Sequence, residues 1–418
     1  MMIKRANRRL HYSLTLQALY QAHGPFLMRL AIYAMSVAAL LWLGYEFWRL
    51  VWLQGYWGAI DLHQRYVEVH YWFSGKMVYG QLKTASYPPA SYVLLWPFLG
   101  WMEFAQARWV WALATILALA WYIRLSLGES LARTSQERTF LALIPLSGYA
   151  TGAAIGNGQL TILLLPFLVA SLLLLNKAEN RWRDDLPAAG LFIVALAKPS
   201  LTSPFYWLAL FLPGRMRPAV LIGGGYLGIT LFAGIFQNES VFDLIRGFVS
   251  NNQMILSGSA IKYSHSNLHS WFAYLGVLSW LPAGSFLMIS ALGLWTYVHR
   301  RIDAWVLIGV TALVARFYTY HGWYDDALLF LPMITLFRIA SFPWRSQTDA
   351  MAAGILLGAN LLFMIAPGGL YLFPHPWNMV YVAVQTLVWI SLLAYLIRYA
   401  WQARAMSSSA TIGVMTTG

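Results

Sequence analysis

The sequence predicts an all-α polytopic integral membrane protein with about 12 transmembrane helices. Three observations carry this. Hydrophobic residues make up 59% of the chain and charged residues only 10%, far below the charge content of soluble domains. The apolar residues fall in long unbroken runs, unlike the short alternating strands of a transmembrane barrel. The 21 Trp, 24 Tyr and 22 Phe supply aromatic side chains for both membrane–water boundaries.

Residues 1–29 are basic and form a cytoplasmic segment, in which 11–24 have the pattern of an amphipathic surface helix. The first apolar segment after them is long enough to span, so no cleavable signal peptide is expected. Spans are expected near 30–52, 105–125, 139–154, 159–176, 186–197, 200–213, 218–236, 271–297, 302–317, 326–340, 350–366 and 378–400. Residues 30–400 thus form one transmembrane unit. Its first extracytoplasmic loop, 53–104, carries a short apolar stretch at 88–101 that reads as an interfacial or re-entrant helix interrupted by Pro97. Lys198-Pro199 breaks the stretch 186–213, because proline interrupts the helical hydrogen-bond ladder. Residues 401–418 read as a flexible cytoplasmic tail.

With both termini cytoplasmic, roughly two thirds of the 28 Lys and Arg residues fall on the inner side. That bias accounts for the net charge of +13, and no nucleic-acid partner is expected. Absence of cysteine excludes disulfides and thiolate chemistry.

The unusual polar residues collect in the outer loops. They are Asp61, Gly156-Asn157-Gly158-Gln159, Lys198, the run from Lys262 to His269, and Arg316 with His321 through Asp326. Each has a plainer reading. Asp61 could be merely solvated, Tyr87-Pro88-Pro89 a stiff turn, Gly156-Asn157-Gly158 a tight turn. Lys198 could snorkel, and Asp325 and Asp326 could favour a helix N-terminus. His265 and His269 have the i, i+4 spacing of zinc ligands but no Glu between them in the arrangement of a metalloprotease helix. Together, carboxylates with Lys198 and Arg316 suit a lipid-anchored phosphate substrate. Cations would hold the phosphate, and a partly buried carboxylate would take a proton from an attacking hydroxyl.

The order of these pieces resembles the GT-C membrane glycosyltransferases, and within them glycosyltransferase family 87, the polyprenyl-phosphate-mannose-dependent enzymes. The resemblance rests on Asp61, Tyr66, Gly75, Val78-Tyr79, Tyr87-Pro88-Pro89, Pro97, Gly158-Gln159 and Ala195-Leu196-Ala197-Lys198-Pro199. Around Trp323, Asp325-Asp326 stand where the family commonly has two His, and His321 precedes the Trp. The resemblance implies a GT-C-like fold and an inverting transfer, on the extracytoplasmic face of the plasma membrane, of mannose or another sugar. The donor would be a polyprenyl-phosphate sugar and the acceptor a glycolipid or glycan. It implies Asp61 as general base and Lys198 and Arg316 as donor-phosphate ligands. Tyr87, Asn157, Gln159, His265, His321, Asp325 and Asp326 would line the site. No cofactor is assigned, and a requirement for a divalent metal stays open. The competing expectations are a lipid or polysaccharide transporter or flippase, and a ligase or polymerase using an undecaprenyl-diphosphate-linked glycan.

Overall fold

The computed structural model describes residues 2–55, 57–177, 181–257, 266–341 and 346–415. His265 and Lys262 lie outside them. The described residues are helical, with no strand among them beyond one isolated bridge between Gly148 and Ile365.

Among the described residues, four helices are long and apolar enough to cross a membrane: His23–Val51, Phe104–Glu129, Leu278–His299 and Trp377–Ala405. Two bent pairs raise the number to six. Tyr149–Asn157 and Thr161–Lys177 meet at 116°, and Trp182–Ala195 and Pro199–Phe211 at 120°. The remaining expected spans are helices such as Ser135–Ser147, Arg217–Gly234, Ala304–Phe317, Phe330–Ser341 and Gln347–Met364. Helix Pro89–Leu99, inside the expected 88–101 stretch, has 11 residues. At 1.5 Å per residue it covers about 16 Å, half a bilayer core. It packs on Ile60–Phe73 and Arg217–Gly234.

Both ends of the chain are longer helices than the sequence suggests. Met2–Val51 runs unbroken through Pro25 and includes residues 11–24. The last helix, Trp377–Met415, continues through most of the segment read as a flexible tail. That segment contains no proline and no glycine before Gly413, so nothing local stops the helix.

The core centres on Ala304–Phe317, whose residues are all buried. A helix apolar all round belongs inside a bundle, and this one packs on Phe330–Ser341, Trp323–Leu329 and the last helix. The first span shows the opposite pattern, with Leu27, Leu30, Tyr33, Val37, Leu40 and Leu41 exposed. So broad an apolar surface suits lipid contact.

Candidate active site

Two helix breaks and one helix end converge to make the site. The first break follows Asn157. Gly158 ends that helix with φ +71°, and a Cβ there would come within 2.4 Å of the Leu62 Cβ. Glycine therefore does more than permit the turn: it lets the break close on the helix that carries Asp61. The Ala59 N–H donates to Gly156 O at 3.1 Å, just before helix Ile60–Phe73 begins. Arg108 closes the preceding helix end, donating to Leu50 O at 2.5 Å, Leu53 O at 2.7 Å and Arg49 O at 3.1 Å. Arg108 thus satisfies carbonyls that a helix C-terminus leaves unpaired.

Asp61 lies in the first turn of Ile60–Phe73 and is partly buried. Gln159, Arg65, Lys198 and Asp325 are its electrostatic neighbours. Among the described residues Asp61 forms no direct ion pair. Burial pushes its pKa above the usual carboxylate range, against the pull of Gln159, Arg65 and Lys198.

The second break presents Lys198, immediately before Pro199 reopens the helix. Its Nζ donates to Asp325 Oδ1 at 2.6 Å, Gln159 Oε1 at 3.3 Å and Thr161 Oγ1 at 3.4 Å, and lies 4.8 Å from the Tyr324 ring centre. Thr161 also donates to Asp325 Oδ1 at 2.5 Å. The other Asp325 oxygen faces His321 Nδ1 at 3.0 Å. Burial alone would raise the Asp325 pKa; Lys198 and His321 outweigh it and hold the carboxyl well below the usual range. Asp325 is therefore a carboxylate.

Beside this lies a second pair. Arg316, at the end of Ala304–Phe317, donates to Asp326, which also accepts from the Tyr149 hydroxyl. Gln385 donates to that hydroxyl at 3.0 Å. On the opposite flank Arg65 pairs with Glu68 at 2.8 Å, donates to Thr84 O at 3.0 Å and stands 4.3 Å from the centre of the Tyr87 ring. Burial pushes Glu68 up to about 7, against the nearby Arg65. Among the described residues no three His, Asp or Glu side chains group as a metal-binding set.

A partly buried carboxylate with a raised pKa, held beside buried cations at helix breaks, is an arrangement chemically able to take up a proton close to positive charge. The sequence model of glycosyltransferase family 87 matches residues 85–341, well over half of the chain. The chain belongs to glycosyltransferase family 87. It is accordingly a glycosyltransferase. No curated protein and no solved structure matches the chain.

The family match covers Tyr87, Asn157, Gln159, Lys198, Arg316, His321, Asp325 and Asp326 but begins after Asp61. The fold, not the matched stretch, brings Asp61 to them. Asp61, Tyr87, Gln159, Lys198, His321 and Asp325 form one electrostatic cluster. Arg316 and Asp326 form the adjoining pair. Asn157 does not join the cluster by its side chain, which accepts from Arg49 and ties the break to the first span. Lys198 and Arg316 are each paired with a carboxylate.

Arg65, Glu68, Tyr149 and Thr161 escape sequence reasoning, and His269 enters it only as a partner of His265. Arg65 carries a usable signal, since Asp61 and Arg65 are four residues apart and share a helix face. Tyr149 and Thr161 carry none. Their partners are 177 and 164 residues away in sequence.

Proposed function

We propose that this glycosyltransferase moves one sugar from a polyprenyl-phosphate donor to a glycolipid or glycan acceptor, with inversion, at the extracytoplasmic boundary of the plasma membrane. In this reading 30–400 is the catalytic unit, about 12 segments cross the bilayer, and both termini are cytoplasmic. The observation that carries it is Asp61: a partly buried carboxylate with a raised pKa and no ion pair among the described residues, in the electrostatic field of the Lys198–Asp325 pair.

The acceptor hydroxyl hydrogen-bonds to Asp61 and attacks the anomeric carbon. A new C–O bond forms as the bond from that carbon to the phosphate oxygen breaks. The proton passes to Asp61, and the electron pair leaves with polyprenyl phosphate. Lys198, Arg65 and Arg316 offset the charge of the departing phosphate. They already face Asp61, Glu68, Asp325 and Asp326. An arriving phosphate adds negative charge and raises the Asp61 pKa further, which strengthens it as a base.

The lipid half of the donor has a matching feature. An apolar groove of about 350 Å³ is lined by Trp271, Tyr274, Met379, Val380 and Val382. From Ser266 on its wall, hydrogen bonds run through Gln385 and Tyr149 to Asp326 and Arg316. Broken helices also occur in transporters, but the family match is to transferases.

The test supplies purified protein in detergent with a short-chain polyprenyl-phosphate hexose and a glycolipid acceptor. Release of polyprenyl phosphate matched one-for-one by a new glycosidic bond supports the reading. Turnover only of a diphosphate-linked oligosaccharide, or movement of lipid without bond formation, would replace it with the ligase or transporter alternative.

A further inference from the structure

One buried feature has no role in that reaction scheme. His269 is 2% exposed and His321 1% exposed. Among the described residues neither ring nitrogen of His269, nor Nε2 of His321, has a hydrogen-bonding partner. The two rings are electrostatic neighbours. Asn267, which caps the short helix bearing His269, donates to the His321 carbonyl at 3.3 Å and ties the two segments together. Buried polar groups are almost always paired, so three open imidazole nitrogens on two segments joined by the Asn267 hydrogen bond call for a ligand.

We propose that His269 and His321 form a subsite that binds hydroxyl groups of a sugar ring. The inference rests on the glycosyltransferase reading above and adds the class of group recognised. Burial holds both rings below the ordinary histidine range, His269 down to about 4, so both are uncharged at neutral pH. The Asp325 carboxylate accepts the Nδ1 proton of His321, which leaves Nε2 as an acceptor. His269 offers one donor and one acceptor. Together the pair presents two acceptors and one donor. A phosphate, which only accepts, would find a single donor. Sugar hydroxyls donate and accept at once and match the full set. Ser270 and Trp271, next to His269 on the same short helix, line the apolar groove. The helix therefore has a lipid-compatible side and a hydroxyl-compatible one.

The test uses the full chain in nanodiscs, titrated calorimetrically with methyl α-mannoside, methyl α-glucoside and methyl α-galactoside and with their monodeoxy derivatives. At least one hexoside should bind. His269→Phe should weaken it about tenfold, the scale expected when a site built for a hydroxyl loses its partner. His269→Asn, which keeps a donor and an acceptor, should restore most of the affinity. One monodeoxy hexoside should bind the wild type poorly, and His269→Phe should no longer distinguish it from its parent. If His269→Phe fails to fold, the His269→Asn and monodeoxy comparisons decide. Binding unchanged in His269→Phe, or no hexoside binding by the wild type, would overturn the proposal. Turnover of a polyprenyl-phosphate sugar is measured separately on the wild type. Hexoside binding without turnover of any polyprenyl-phosphate sugar would therefore sink the donor assignment and leave the subsite standing.

Discussion

Two carboxylates in this molecule, the buried Asp185 and the partly buried Asp61, are embedded among arginines and lysines in opposite ways. Asp185 has both oxygens taken: one by Arg215 at 2.6 Å, the other by Arg217, whose guanidinium also lies 4.6 Å from the Trp182 ring centre. The carboxylate is matched by charge and by direction, and it fastens helix Trp182–Ala195 to the start of Arg217–Gly234. Asp61 has cations nearby but makes no ion pair with any of them among the described residues. A fastening uses up its bonding capacity, whereas a reactive group keeps some in reserve.

The largest effect is expected of Asp61→Asn. It should lower turnover by about 10³-fold, within the range for losing a general base, with no change in thermal unfolding. Near wild-type turnover would return Asp61 to the plain reading of a solvated residue. Next comes Lys198→Met, expected to cost about 10²-fold in kcat/KM. Asp325→Asn should cost a similar factor, and the double variant should be little worse than either, because both act through one ion pair. Additive losses in that cycle would mean two independent roles.

The pH profile sharpens the same contrast. A base works only when deprotonated, so kcat/KM should fall as pH drops through the Asp61 pKa. Because burial raises that pKa, the fall should begin at higher pH than the value of about 3.9 for a free aspartate. Asp61→Glu should move the limb. An unmoved limb would assign it to another group. The smallest catalytic effect belongs to Asp185→Asn. It should leave turnover per folded molecule unchanged while lowering stability by roughly 1–2 kcal/mol, discounted because both arginines are partly exposed. Loss of specific activity there would erase the distinction between the two carboxylates.

Much of the candidate site is legible in the linear sequence. Asp61, Lys198 and Asp325 stand out because charge beside long apolar runs is costly and uncommon. Lys198-Pro199 and Gly158-Gln159 announce their helix breaks through local chemistry, and both breaks are present. The company each residue keeps is not legible there. Lys198 and Arg316 look like two free cations, but each is paired with one of two adjacent aspartates. The hydrogen bond by which Asn267 ties the His269 segment to His321 spans 54 residues and leaves no trace in the linear sequence. Arg65 can be found from its helical spacing, whereas its stacking on Tyr87 depends on a chain that turns back between them.

The division follows from the range of the forces involved. Hydropathy, helix length and the breaking effect of proline or glycine belong to neighbouring residues, so a linear reading settles membrane residence, helical class and the places where helices stop. Ion pairs and hydrogen bonds act over a few ångströms between groups that are often more than a hundred residues apart, as with Lys198 and Asp325. Only folding decides which of them meet, which are left with open bonding positions, and which carboxylate among several stays unmatched.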